Sequence, residues 1–425
     1  MGNLMSTPNK IIALVDGNNF YVSCERIFDL KLIGRPVAVL SNNDGCVISR
    51  SNECKALGIA MGTPHFQLHE RRDLILRSSN YELYGDISRR MITVLQEFSP
   101  EVEQYSIDEA FLHLQLPDDC DLAELGSRIR QTLLQWVGIP CGIGFAKSKT
   151  LAKIANHIGK KLPGGVFVMP EEPYQILENV PVAEVWGVGQ HLSARLLACG
   201  VRNAAHLAQA EQAFLQRKFN VTLARTALEL QGQPVIAQEN PELPSRSISC
   251  SRTFGAPVTS LEQLTEALAY YTAAAAEKLR RQKLTACGCN VYFQYCPEYA
   301  PRPLEGGFCG TSISFPQPTA ATPEMLQAIR PHLQGLFLPG RRYRKSGVLF
   351  WGLETDAEQP LALFAAPQQH QNAEKISATL DQLNRTYGKN TVFYLSAGTT
   401  RPWQMKREML SPNYTTSWEE LPLVN

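Results

Sequence analysis

The stretch Glu101–Leu116, "EVEQYSIDEAFLHLQL", decides the fold. It reads as two strands flanking a short polar turn. Successive strand residues point to opposite faces, so a continuous strand would drive either Asp108 or Glu109 into the core. A turn inside "SIDEA" breaks that alternation and lets both carboxylates approach one side. The plain alternative for such a pair is a turn cap at Asp108 and a solvated Glu109.

Working outward, "KIIALVDGNNFYVSCERIF" (Lys10–Phe28) reads as a buried strand, Ile11–Val15, ending at Asp16, then a helix from about Asn19 to Phe28. Asp16 would therefore sit at the end of a strand in the same sheet as Asp108 and Glu109. Open sheets gather functional groups at strand ends. Three carboxylates brought together repel one another unless a cation is present. A hard divalent ion such as Mg²⁺ takes oxygen ligands and leaves positions for phosphates. Two such ions, roughly 4 Å apart, would activate a 3′ oxygen and stabilise a leaving pyrophosphate.

The remaining elements follow from periodicity. "SNYELYGDISRRMITVLQEF" has apolar residues at helical spacing, with Ser79 or Asn80 as cap. A helix over Leu122–Trp136, a strand over Cys141–Phe145 and a helix over Ser148–Gly159 come next. The order is that of a split-βαβ sheet, expected to carry its helices on one face. Residues 31–74 contain short strands and a short helix, and residues 171–240 read as all-helical. A Pro-rich link leads to a second α+β unit over 243–352, and the tail 353–425 reads as polar and irregular. The fold class is multidomain α+β.

Composition bounds the partners. The chain has 425 residues, 11 Cys and a formal charge of +1. From Ser245 to Phe350 there are 12 Lys/Arg against 6 Asp/Glu, a local basic excess that suits a polyanion. Free thiols in a reducing cytoplasm fit the cysteine count. Cys287 and Cys289 share a strand face and are read as core residues, their spacing matching no usual zinc pattern. No apolar run approaches the ~20 residues of a membrane span. "GFAKSKT" lacks the Gly-Lys-Ser/Thr ending of a phosphate-binding ATPase loop.

"LVDGNNFYVSCE" and "YSIDEAF" together resemble the Y-family of translesion DNA polymerases. "SNNDGCVISRSNECKALGI", "SSNYELYGDISRR" and "FAKSKTLAKIANHIGKK" fit as well, and the tail "RPWQMKREMLSPNYTTSW" resembles the UmuC-type catalytic subunits of bacterial DNA polymerase V. The resemblance implies a right-hand polymerase, with a palm over 10–30 and 75–170, fingers over 31–74, a helical thumb over 171–240, a DNA-gripping little finger over 243–352 and a partner-binding tail over 353–425. It implies error-prone copying of damaged DNA in the SOS response, in the bacterial cytoplasm and at the nucleoid when active. Asp16, Asp108 and Glu109 become the catalytic metal carboxylates for two Mg²⁺ ions, with the carbonyl of Gly17 as a further ligand. A catalytically silent scaffold and a palm-type nucleotide cyclase are the alternatives. The intact carboxylates speak against the first, and the hairpin, basic domain and tail against the second.

The resemblance also assigns the nucleotide pocket. Tyr21 stacks beneath the incoming sugar of the dNTP and excludes a 2′-OH, with Phe20 beside it. Ser49, Arg50, Lys55 and Lys160 are the candidates around the triphosphate. The family usually has Tyr and Arg where this chain has Asn52 and Lys55, and Lys does not reproduce the bidentate grip of Arg. "VWGVGQHLSARLLACGV" resembles a helix-hairpin-helix, two short helices joined by Gly187-Val188-Gly189, whose backbone N–H groups face a phosphate of primer-template DNA. Arg246, Arg252, Arg341 and Arg342 would grip the duplex backbone without reading sequence. "QPLALF" (Gln359–Phe364) resembles the motif with which bacterial polymerases bind the sliding clamp, through Gln359, Leu361, Leu363 and Phe364. UmuD′-type subunits and RecA are the other implied partners.

Overall fold

The computed structural model describes residues 9–68, 70–117, 119–238, 245–296, 307–355 and 367–421. These fall into two compact units, one built from the chain up to residue 239 (apart from 42–44) together with residues from Met409 onward, the other from 42–44 and 240–408. The tail is therefore divided between the two units at residue 409.

The first unit opens with β1 (Asn9–Gly17) and α1 (Phe20–Phe28). Then come β2 (Val37–Leu40), β3 (Val47–Arg50), α2 (Asn52–Ala56), β4 (Ile75–Ser78) and α3 (Tyr81–Gln96). Next are β5 (Val102–Gln104), β6 (Glu109–Leu116), α4 (Leu122–Trp136), β7 (Cys141–Ala146), α5 (Lys149–Gly159) and β8 (Val166–Val168). The main sheet has the order β5-β6-β1-β7-β8. β1 lies antiparallel to both β6 and β7, and its register sets Asp16 opposite Glu109.

Helices cover both faces of this sheet, not one. Ile11, Ala13 and Val15 of β1 pack with α3 and α4, while Ile12 and Leu14 pack with α5 and the helices beyond it. The reason lies in β7, "CGIGFA", buried along its whole length. Gly142 and Gly144 share one of its faces, and a Cβ at Gly144 would collide with the main chain of Ala152 and Asn156. Glycine at 144 thus lets α5 lie directly on the sheet. Asn156 then donates from its side-chain amide to the carbonyls of Leu14 (3.3 Å) and Gly142 (2.8 Å), tying the helix to two strands.

A smaller sheet has the order β3-β2-β4. Residues 75–78 of β4 pair in parallel with Val37–Leu40 of β2. Beyond β8 lie α6 (Tyr174–Glu178), α7 (Gln190–Ala198), α8 (Ala204–Gln209), α9 (Gln212–Lys218) and α10 (Val221–Leu230). This region is helical as expected. The first of the two short helices expected around Gly187 is a single 3₁₀ turn, Val182–Glu184.

The second unit is a four-stranded sheet of order β11-β10-β12-β9, from β9 (Ile248–Val258), β10 (Leu284–Cys296), β11 (Gly307–Thr319) and β12 (Arg342–Thr355), packed with α11 (Leu261–Arg281) and α12 (Thr322–Leu336). A register shift between Ala286 and Gly288 alters the alternation. Ala286 and Cys289 both enter the core, while Cys287 donates to Glu354 Oε1. The two cysteines therefore do not share a face as the spacing suggested.

The tail is not irregular throughout. α13 (Pro367–Tyr387) runs for 21 residues. Arg280 of α11 meets Asp381 of α13 through two hydrogen bonds of 2.7 and 2.8 Å, and Trp403 is buried in the core of this unit. All eleven cysteines are free. No helix among the described residues is long and apolar enough to cross a membrane.

Candidate active site

The hairpin forms as the sequence required. β5 ends at Gln104, β6 starts at Glu109, and the turn between them is closed by Ser106, whose hydroxyl accepts from the N–H of Asp108 and Glu109 at 3.3 and 3.0 Å. The Gly17 N–H donates to the Asp108 carbonyl at 2.9 Å, locking the turn to the end of β1. Gly17 is tightly placed, since an added Cβ would press on the Phe20 ring.

The three carboxylates differ in their partners. Asp16 Oδ2 lies 2.6 Å from Lys160 Nζ, and Glu109 Oε2 lies 2.9 Å from Lys153 Nζ. Asp108 Oδ1 accepts from the Ser106 hydroxyl at 2.6 Å. Burial pushes the Asp16 carboxyl up to about 7 against the opposing pull of Lys160, and the neighbouring Glu109 and Asp108 charges push the same way. Carboxylates that raise one another in this way are eased by a nearby cation. A cavity of about 400 Å³ opens beside them, lined by Asp16, Glu109, Lys153, Asn156, Lys160 and Trp186. No group of three His, Cys, Asp or Glu side chains among the described residues is drawn together around one point. The two ammonium groups and Ser106 take up the oxygens that an ion would claim. The donors are hard oxygens at the mouth of a cavity, and they fit Mg²⁺.

Sequence reasoning missed Lys153. It lies seven residues before Lys160, two turns along the same stretch, so both can present toward the strand ends. Its ammonium also sits 4.3 Å from the centre of the Tyr105 ring and 5.5 Å from that of Trp186. The Trp186 indole donates to the Tyr105 hydroxyl at 3.0 Å.

Tyr21 is half-buried and stacked on Tyr84, ring centres 4.6 Å apart and planes 21° from parallel, with Tyr81 edge-on at 6.0 Å. Burial first, then Tyr81 and Asp108, pushes its phenol up to about 12, so it remains a neutral ring. Phe20 is in the core below it. Among the cationic candidates, Arg50 and Lys160 both act on Lys55. Burial and these two charges hold its ammonium below the usual lysine range, which places the three positive groups in one neighbourhood. Lys55 donates to Asn52 Oδ1 at 3.2 Å, and Arg50 donates to the Ile59 carbonyl. Ser49, the residue before Arg50, is buried.

Gly187 has φ of +85°, and Gly189 is the residue from which α7 starts. Arg246, Arg252 and Arg342 are exposed, and Arg341 lies 5.4 Å from the centre of the Tyr295 ring. Gln359, Leu361, Leu363 and Phe364 lie outside the described residues.

The impB/mucB/samB family matches residues 15–157, its C-terminal domain matches 245–363, and a domain of unknown function, DUF4113, matches 374–424. The chain is 39% identical to Protein UmuC of Salmonella typhimurium over 420 residues, covering 97% of this chain and 99% of that one. It is 40% identical to Protein ImpB of Salmonella typhimurium over 423 residues, with the same coverage of 97% and 99%. DNA polymerase IV 1 of Bacillus subtilis is 29% identical over 299 residues, 68% of this chain and 72% of that protein. A solved Y-family DNA polymerase chimera, Dbh-Dpo4(243-245)-Dbh, superposes with a TM-score of 0.64 at 20% identity, covering 81% of this chain and 100% of the other, a likeness of fold. The chain belongs to the impB/mucB/samB family of Y-family translesion DNA polymerases.

Proposed function

We propose that this polymerase adds deoxynucleotides to a primer at a two-ion site formed by Asp16, Asp108 and Glu109, with the Gly17 carbonyl as a further ligand. The observation that carries this reading is the register of β1 on β6. It sets Asp16 opposite Glu109 and leaves Asp108 in the turn between them. When bound, two Mg²⁺ ions would supply charge neutralisation and activation of the primer 3′ oxygen. The protein's own groups bind and orient the nucleotide. Lys160, Arg50 and Lys55 neutralise the triphosphate, Lys160 exchanging its Asp16 partner for phosphate as the nucleotide enters. The Tyr21 ring lies against the sugar. Lys153 holds the Glu109 carboxylate in place, and its own position is fixed by Tyr105 and Trp186.

Gly187, Gly189 and the start of α7 contact the DNA backbone, as do Arg246, Arg252, Arg341 and Arg342. Such contacts confer affinity that falls steeply with salt. UmuD′-type subunits and RecA are the partners that its similarity to UmuC supports, with action in the cytoplasm at the nucleoid. Purified chain with primer-template, dNTPs and Mg²⁺, alone and with those partners, is expected to extend the primer past a template lesion. Absence of template-dependent extension under every one of these conditions would overturn the proposal.

The tail adds a clamp contact in this reading. Leu363 and Phe364 would act as apolar anchors for a pocket on the sliding clamp. Leu363→Ala with Phe364→Ala is expected to weaken clamp binding at least tenfold, the loss typical of removing interface anchors, while distributive synthesis is spared. Unchanged clamp affinity in a surface-binding assay would refute the assignment.

A further inference from the structure

Residues 409–414 reach the groups that support the Tyr21–Tyr84 stack. Met409 meets the end of β4 through two hydrogen bonds: its carbonyl accepts from the Ser78 N–H at 3.0 Å, and its N–H donates to the Ser78 hydroxyl at 2.9 Å. Two residues on, the Ser411 hydroxyl donates to Glu25 Oε1 at 3.1 Å and accepts from the Asn80 side-chain amide at 3.0 Å. Three residues further, the Tyr414 ring stacks on Phe28, with centres 4.8 Å apart and planes 7° from parallel. Residues 409–414 thus form a strap fixed at three points.

The two groups that Ser411 touches are the supports of the Tyr21–Tyr84 stack. Glu25 lies four residues after Tyr21, one turn along α1, and is 1% exposed. The same Oε1 that accepts from Ser411 accepts from the Tyr84 hydroxyl at 2.6 Å. Asn80 caps α3 by accepting from the Leu83 N–H at 3.2 Å, and α3 carries Tyr81 and Tyr84, the rings that meet Tyr21. Burial raises the Glu25 carboxyl, and the Tyr84 and Ser411 hydroxyl donors counter that shift, with the Arg77 charge acting the same way, so Ser411 is one of two hydroxyls that support this buried carboxylate.

We propose that the C-terminal strap is part of the sugar filter: Ser411, through Glu25 and Asn80, fixes Tyr84, which holds the Tyr21 ring against the nucleotide sugar. Ser411, Glu25 and Tyr84 are then positioning residues for sugar discrimination. The segment, which falls within the domain of unknown function matched over 374–424, thereby sets the stiffness of a ring some 390 residues earlier in the chain (Ser411 against Tyr21). A steric filter works only if its ring cannot recede, because a hydroxyl that meets a mobile ring is excluded less strongly. The inference rests on Tyr21 being that filter.

The test compares Ser411→Ala, Tyr84→Phe, Tyr21→Ala and the Ser411→Ala/Tyr21→Ala double variant in the full chain. The readout is the ratio of kcat/KM for deoxyribonucleotide over ribonucleotide. Tyr84→Phe keeps the ring and removes only the bond to Glu25, so it tests the same link with little risk to folding. Ser411→Ala and Tyr84→Phe are each expected to lower the ratio by about threefold to tenfold, with kcat for deoxyribonucleotide within about twofold of the parent. Adding Ser411→Ala to Tyr21→Ala is expected to change nothing further, since the ring it positions is gone. If Tyr21→Ala relaxes selectivity while Ser411→Ala and Tyr84→Phe keep the parental ratio, the strap has no part in it and this inference alone falls. If Tyr21→Ala itself keeps the parental ratio, the filter assignment falls and the inference with it. A loss in Ser411→Ala that persists in full on the Tyr21→Ala background would also overturn it.

Discussion

Asp108→Asn is expected to abolish Mg²⁺-dependent primer extension, a loss of at least about a thousandfold, and to leave primer-template binding near the parental value. The two effects separate because the residue has two roles. Its main-chain carbonyl accepts from the Gly17 N–H and so fixes the turn to β1, a bond that Asn retains. Its carboxylate accepts from the Ser106 hydroxyl at 2.6 Å, which an amide oxygen can also do. What Asn cannot supply is negative charge for a divalent ion. The basic residues proposed for DNA binding in the second unit are untouched, so affinity for the duplex should hold. Single-turnover extension across a range of Mg²⁺ concentrations, together with fluorescence anisotropy of labelled DNA, reads both. A variant that extends at the parental rate would sink the two-ion assignment.

Tyr21→Ala is expected to admit ribonucleotides far more readily, with the discrimination ratio falling on the order of a hundredfold. The ring is neutral and stacked, so its effect on a 2′ oxygen is contact alone, and its removal deletes the whole obstacle. Metal binding should persist because no ligand is lost, and extension with deoxyribonucleotides should continue. The check is the ratio of extension efficiencies for matched ribo- and deoxyribonucleotides in variant and parent. An unchanged ratio would reduce Tyr21 to packing and move the search to its neighbours. Phe20 is the less favourable of these, since it lies in the core.

Sequence patterns carried the Glu101–Leu116 hairpin well because it is local. Strand, turn and strand lie within sixteen residues, and β1 carries its own apolar run up to Asp16. The helix over Leu122–Trp136 was legible for a similar reason: Asp121 caps it by accepting from the Ala123 and Glu124 N–H groups. Other features were hidden by the residues that build them. α5 covers the second face of the sheet through glycines, which leave no apolar periodicity to read. The buried positions of α13 include Ala373, Ser377 and Asp381, spaced four apart; two of the three are polar, and Asp381 is paired with Arg280. The ion pairs at Asp16 and Glu109 depend on how α5 is laid against β1, and the strap joins residues more than 380 positions apart, as Ser411 does with Glu25. Neither leaves a trace in local spacing.

The free cysteines have a chemical consequence. In seven of them, Cys24, Cys54, Cys141, Cys250, Cys287, Cys289 and Cys309, burial raises the thiol above its ordinary value, up to about 12 for Cys141 and Cys289. Peroxides and alkylating agents attack the thiolate, so a thiol held protonated reacts slowly with both. Agents of these kinds also damage DNA. An enzyme that copies damaged templates thus keeps most of its thiols in the less reactive form under the same chemical attack that creates its substrate.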